Sequence, residues 1–121
     1  MKTFFLGLAL LVTLWPGVAT ARDAQEQARI DFLLHTVETA KGVTFIRNGS
    51  EYDGPAAAKH LRRKLDYGGE RLKTAEDFIK YCATESSFTH RKYQVRTGDG
   101  VTKDGADYFT GLLKSFHPQK P

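Results

Sequence analysis

Cysteine is nearly absent from this chain: Cys82 stands alone among 121 residues. No intramolecular disulfide can form, so the fold must be held by its core even in an oxidising compartment. Long apolar runs are also scarce. The one present, Phe4 to Trp15, is about a dozen residues, short of the roughly 20 that a membrane-spanning helix needs. No internal repeat or low-complexity segment interrupts the chain. There is no Gly-x-Ser-x-Gly elbow, no phosphate-cradling glycine loop, and no histidine or cysteine pair at zinc-ligand spacing. Serine-hydrolase, nucleotide-loop and zinc chemistry therefore find no support, and neither a metal nor a cofactor is expected.

The apolar run decides where the chain works. Lys2 gives it a positive start, Pro16-Gly17 break it, and Ala19-Thr20-Ala21 offers the small-x-small pattern that signal peptidase reads. Residues 1–21 read as a signal peptide cleaved after Ala21, in preference to a retained anchor helix. No Cys follows the cleavage point to take a lipid, and no stable membrane span is expected after cleavage. The remaining residues, 22–121, suffice for one globular domain with one core. Losing Lys2 leaves 17 basic against 14 acidic residues, a net charge of +3. That mild excess favours anionic partners but falls short of the dense footprint of a nucleic-acid binder.

Along this region, Asp23 is placed to cap a helix running to about Ala40, with Ile30, Leu33, Leu34 and Val37 on one stripe and Lys41-Gly42 ending it. Val43–Arg47 and Ser50–Tyr52 flank Asn48-Gly49, the strongest short hairpin signal, because both turn positions need positive φ. Asp53-Gly54-Pro55 opens a second helix, with Ala57, Ala58, Leu61 and Leu65 sharing a face and Gly68-Gly69 stopping it. Thr74 caps a third, whose apolar face is Ala75, Phe78, Ile79 and Cys82. Tyr93–Arg96 alternates as a strand, Gly98-Asp99-Gly100 turns the chain, and Val101-Thr102 pairs back. Asp104 caps a last helix, about Gly105 to Phe116, and the tail 117–121 reads as disordered around Pro118 and Pro121. The expected fold is α+β, with about four short helices packed on a small antiparallel sheet made of a β-hairpin plus one or two further strands.

Few residues invite a chemical role. Cys82 lies in an apolar stripe and reads as a buried core thiol rather than a nucleophile. His35 pairs with Asp31 one turn away, His90 sits in a basic loop and His117 in the tail. His60 borders the apolar stripe of the second helix, with Lys64 one turn on and Tyr67 two turns on. That ridge suits a proton-transfer group or an anion clamp, or else a boundary histidine bonded to a neighbouring carbonyl. Lys59 to Lys64, with Arg71 and Lys73, form the densest basic cluster, to which His90-Arg91-Lys92 add if the fold brings them near. Such a face engages phosphate or carboxylate polymers, or is simply solvated. Nucleic acid is not expected, since no aromatic platform interleaves with the charges. Phe32 lies off the first helix's stripe, so it covers another element or marks a contact surface.

Phe45-Ile46-Arg47-Asn48-Gly49 with Tyr52, His60-Leu61, Thr74-Ala75-Glu76 with Phe78-Ile79, Ser86-Ser87 and Tyr93-x-Val95 together resemble the YfeK-like family of small secreted bacterial proteins of unknown function. The resemblance spans essentially all of residues 22–121, in the same order and spacing. It implies a Gram-negative periplasmic protein and no assigned reaction or cofactor. One departure stands out: the loop after the serines usually resembles Ser-Gly-x-Pro-Tyr, and here reads Thr89-His90-Arg91-Lys92-Tyr93. Of the motif residues, Arg47, Tyr52 and His60 are least explained by folding. They are expected to border one concavity with Lys64 on its rim and Ser86 and Ser87 close by. If Ile46 faces the core, alternation turns Arg47 outward. The leading expectation is a non-enzymatic module that binds a protein or an anionic envelope polymer. The alternative is a small hydrolase or transferase using His60 with a carboxylate and Ser86 or Ser87.

Overall fold

The computed structural model describes residues 22–118. The signal peptide read into residues 1–21 and the last three residues of the tail lie outside the described residues. Four helices, α1 (Ala24–Thr39), α2 (Gly54–Gly68), α3 (Ala75–Cys82) and α4 (Gly105–Lys114), pack with four strands, β1 (Thr44–Arg47), β2 (Ser50–Tyr52), β3 (Gln94–Arg96) and β4 (Thr102–Asp104). The sheet runs β2-β1-β3-β4 and every pairing is antiparallel, an α+β fold. No described helix is long and apolar enough to cross a membrane.

Local chemistry accounts for most boundaries. The Asp23 carboxylate accepts from the backbone N–H of Gln25 and Glu26, opening α1. Asn48 and Gly49 both take positive φ, 52° and 81°, which matches the twist of the β1–β2 hairpin. Asp53 caps α2 through Ala56 N–H, with Pro55 in the first turn where its missing donor costs nothing. Thr74 and Asp77 form a reciprocal capping box at α3.

The stripes then meet. Ile30, Leu33 and Val37 of α1, Ala58 of α2, Ala75 and Phe78 of α3 and Val95 of β3 are almost wholly buried in one core. Gly54 is the tightest junction: a Cβ there would lie 2.3 Å from the Val37 carbonyl oxygen, so α2 starts in direct backbone contact with α1. Phe32, off the main stripe, covers the end of α4 by packing on Phe116 at 5.4 Å between ring centroids.

Several expectations are corrected. Phe45 and its cross-strand partner Val95 face the helices, whereas Ile46 is only half-buried and pairs with Glu51 and Gln94 on the other face. Arg47 therefore shares the helix-facing side with Phe45 and does not turn away from it. Helix α1 ends at Thr39, and positive φ appears three residues later at Gly42, after an extended Ala40. The Asp104 side chain makes no cap bond; it ends β4 and pairs with Lys92 Nζ at 3.5 Å. Asp31 accepts from Gln27 at 2.9 Å, while His35 is exposed. Helix α4 stops at Lys114, before Phe116.

Candidate functional site

The hairpin end of β1, the outer face of α2 and the loop between α3 and β3 converge on one cleft of about 1020 Å³. Alternation places Arg47 on the helix-facing side at the last residue of β1, where the strand meets α2. Helical spacing lines up His60, Arg63, Lys64 and Tyr67 along α2, and the turn after it supplies Arg71. Tyr81, Ser86, Ser87, Phe88 and Tyr93 form the facing wall.

Tyr93 is the hub. Its phenol oxygen lies 3.1 Å from His60 Nε2 and accepts from Lys64 Nζ at 3.1 Å. Lysine can only donate, so the phenol accepts from Lys64, and a neutral His60 pairs with it as donor or acceptor according to its tautomer. The electrostatics agree. Burial, reinforced by the positive charges of Arg47, Lys64 and Arg63, lowers the His60 pKa to about 4. Lys64 also donates to the Glu85 carbonyl at 3.3 Å. Arg47 donates to the Tyr52 hydroxyl at 3.1 Å and lies over that ring; this hydrogen bond lowers the Tyr52 pKa.

Ser86 serves the scaffold. It is buried, and its Oγ accepts from Asn48 Nδ2 at 3.2 Å and from the Phe88 and Thr89 backbone N–H groups at 3.4 and 3.5 Å. The hairpin tip and the loop are thereby tied together, with Thr89 Oγ1 donating to Asn48 Oδ1 at 2.5 Å. Ser87 is exposed at the cleft wall. His60 bonds a phenol, not a serine, and its charged neighbours are cations, not carboxylates. Cys82 lies at the floor, and its burial pushes the thiol pKa up to about 11. No cluster of three or more His, Cys, Asp or Glu side chains suited to a metal occurs among the described residues.

A second, smaller cavity of about 50 Å³ adjoins the cleft, and Tyr52 belongs to it. Arg47, His60 and Tyr93 line both spaces. All six residues singled out from sequence thus lie at these two adjoining spaces.

Residues 24–117 match the family of unknown function DUF5329. The chain belongs to that family. Among the proteins it is similar to is "Uncharacterized protein YfeK" of Salmonella typhimurium strain LT2, 41% identical over 88 residues, covering 71% of this chain and 70% of the relative. No solved structure matches. The DUF5329 match covers every element that lines the cleft. In the loop after Ser86-Ser87, His90 takes a φ of 60°, a left-handed turn made by a non-glycine residue. The His90 ring pairs with Glu85 Oε2 at 2.7 Å.

Tyr93 escaped the sequence reading as a polar hub because it reads there only as the first residue of an alternating strand. Tyr67, Tyr81 and Phe88 were missed as a group. They are 86%, 58% and 94% exposed and border the same cleft, although they are scattered along the chain. Only Tyr67, two turns after His60, carried a periodic signal.

Proposed function

We propose that this protein is a non-enzymatic binding module of the bacterial periplasm whose cleft takes an anionic envelope component. One observation carries the reading: Arg47, Arg63, Lys64 and Arg71 line the cleft, and among the described residues no carboxylate does. Elsewhere Arg29, Arg62, Lys92 and Arg96 each pair with Asp or Glu, so acids are available to the fold and are kept away from here. Like charges in a concave wall repel, and that repulsion is relieved by an incoming anion. Arginine forks also suit carboxylate or phosphate oxygens. The exposed aromatics at the rim add flat apolar surface for the ligand's uncharged parts. Hydrolytic or transfer chemistry lacks comparable support, since His60 has neither a serine nor a carboxylate partner.

Titration of the purified protein with polyphosphate, a soluble anionic polymer, tests this. Arg47→Gln/Lys64→Gln is expected to weaken binding roughly tenfold, the scale of one or two charge-assisted contacts. Lys103→Gln/Lys114→Gln, exposed and outside the cleft, is expected to leave it nearly unchanged. Equal losses in both variants, or no binding by the unaltered protein, contradict the proposal.

A further inference from the structure

We infer that the cleft and the cavity adjoining it form one bipartite site for the C-terminal residue of a peptide whose last side chain is small and apolar. The inference deepens the anion-binding reading and rests on it. The cavity is walled by Phe45, Tyr52, Ala57, Leu61, Val95 and Phe109. Its volume of about 50 Å³ admits about three or four carbon-sized groups, since one water needs roughly 10–15 Å³. It adjoins the cleft through Arg47, His60 and Tyr93, which line both spaces, and Arg47 has the Tyr52 phenol as its hydrogen-bond partner.

The geometry sets two demands on a ligand: an anion at Arg47, and a short apolar group a few bonds away. A peptide's last residue meets both, because its carboxylate and its side chain branch from one carbon. The carboxylate stays in the cleft at Arg47 and Lys64, while the side chain enters the cavity. The cleft, about 1020 Å³, then accommodates the preceding residues toward Tyr67 and Phe88. A fatty acid fits less well, since its apolar part far exceeds the cavity and leaves the cleft empty. Capture of a chain-terminal carboxylate is an established mode of peptide recognition.

The test uses the unaltered protein and N-terminally labelled pentapeptides, with fluorescence anisotropy as the readout. A peptide ending in Val as the free acid is expected to bind. Its C-terminal amide is expected to bind about tenfold more weakly, through loss of the charge-assisted contact. Replacing the terminal Val by Gly removes three carbons from the cavity and is expected to cost at least about tenfold. A terminal Trp exceeds the cavity and is expected to bind no better than Gly. Ala57→Leu, which fills the cavity, is expected to erase the preference for Val over Gly. If that variant fails to fold, the peptide series on the unaltered protein decides alone. Equal binding of acid and amide, or of Val and Gly, overturns the inference. So does polyphosphate binding without peptide binding, which leaves the cleft reading standing. Failure of both probes overturns the two together.

Discussion

Gly54→Ala is expected to destabilise the protein by about 3 kcal/mol, at the upper end of what overpacking costs. The added Cβ would stand 2.3 Å from the Val37 carbonyl oxygen and 3.2 Å from that of Glu38, both backbone atoms that no rotamer change can move. Relief requires α2 to shift away from α1, opening the core at Ala57 and Ala58. Because α2 carries His60 and Lys64, the same shift also pulls these side chains off Tyr93. Gly111→Ala supplies the contrast. Nothing lies within 4 Å of a Cβ there, so this substitution in α4 is expected to stabilise by about 0.5–1 kcal/mol through helix propensity. Urea unfolding of the two variants beside the parent checks both signs. A Gly54→Ala protein as stable as the parent would show that the helices are not in backbone contact.

Acidification from pH 7 to about pH 4 is expected to remove about 1–2 kcal/mol of stability through His60, a figure reduced for its partial exposure to solvent. The folded pKa of about 4 lies below the ordinary 6.5. Between those values the unfolded chain binds the proton and the folded one does not. Stability therefore falls as pH drops through that window, and is unaffected above it. The groups facing the ring are Tyr93, Arg47, Lys64 and Arg63, three of them cations, so no acid offsets the effect. Glu76 also contributes acid sensitivity: its hydrogen bond with Arg29 lowers its pKa, so its share is lost only below its ordinary 4.5. Comparing unfolding of the parent and His60→Gln at pH 7 and pH 5 isolates the histidine. The parent should lose stability across that range, and the variant should lose much less. Equal losses, or a His60 resonance titrating near 6.5 in the folded protein, would contradict the arrangement.

Much of the fold was legible because its boundaries are set locally. Asp23, Asp53 and Thr74 announce helix starts with oxygen caps, and Asn48-Gly49 announces the hairpin by its backbone preference. What failed depends on contacts distant in sequence. Ile46 and Phe45 are both apolar, and only pairing with Val95 decides that Phe45 turns inward. Asp104 resembles a cap, yet its carboxylate goes to Lys92 because pairing with Gln94 sets the end of β4 beside the loop that precedes β3. The cleft follows the same division. Arg47, Tyr52 and His60 were visible as the motif residues least explained by folding, with Lys64 expected on the rim. Tyr93, which ties His60 to Lys64, and the exposed ring of Phe88 reach the cleft only through the loop that Ser86 clamps to Asn48. A contact across 38 residues has no local periodicity to reveal it.

Amide chemical-shift mapping during titration with tripolyphosphate tests anion binding in this cleft most directly. The predicted result is a set of shifts centred on Arg47, His60, Lys64, Ser87 and Tyr93, together with a rise in the His60 pKa as the added negative charge offsets its cationic neighbours. Shifts concentrated instead at remote lysines such as Lys41, Lys103 and Lys114, with His60 unmoved, would contradict it.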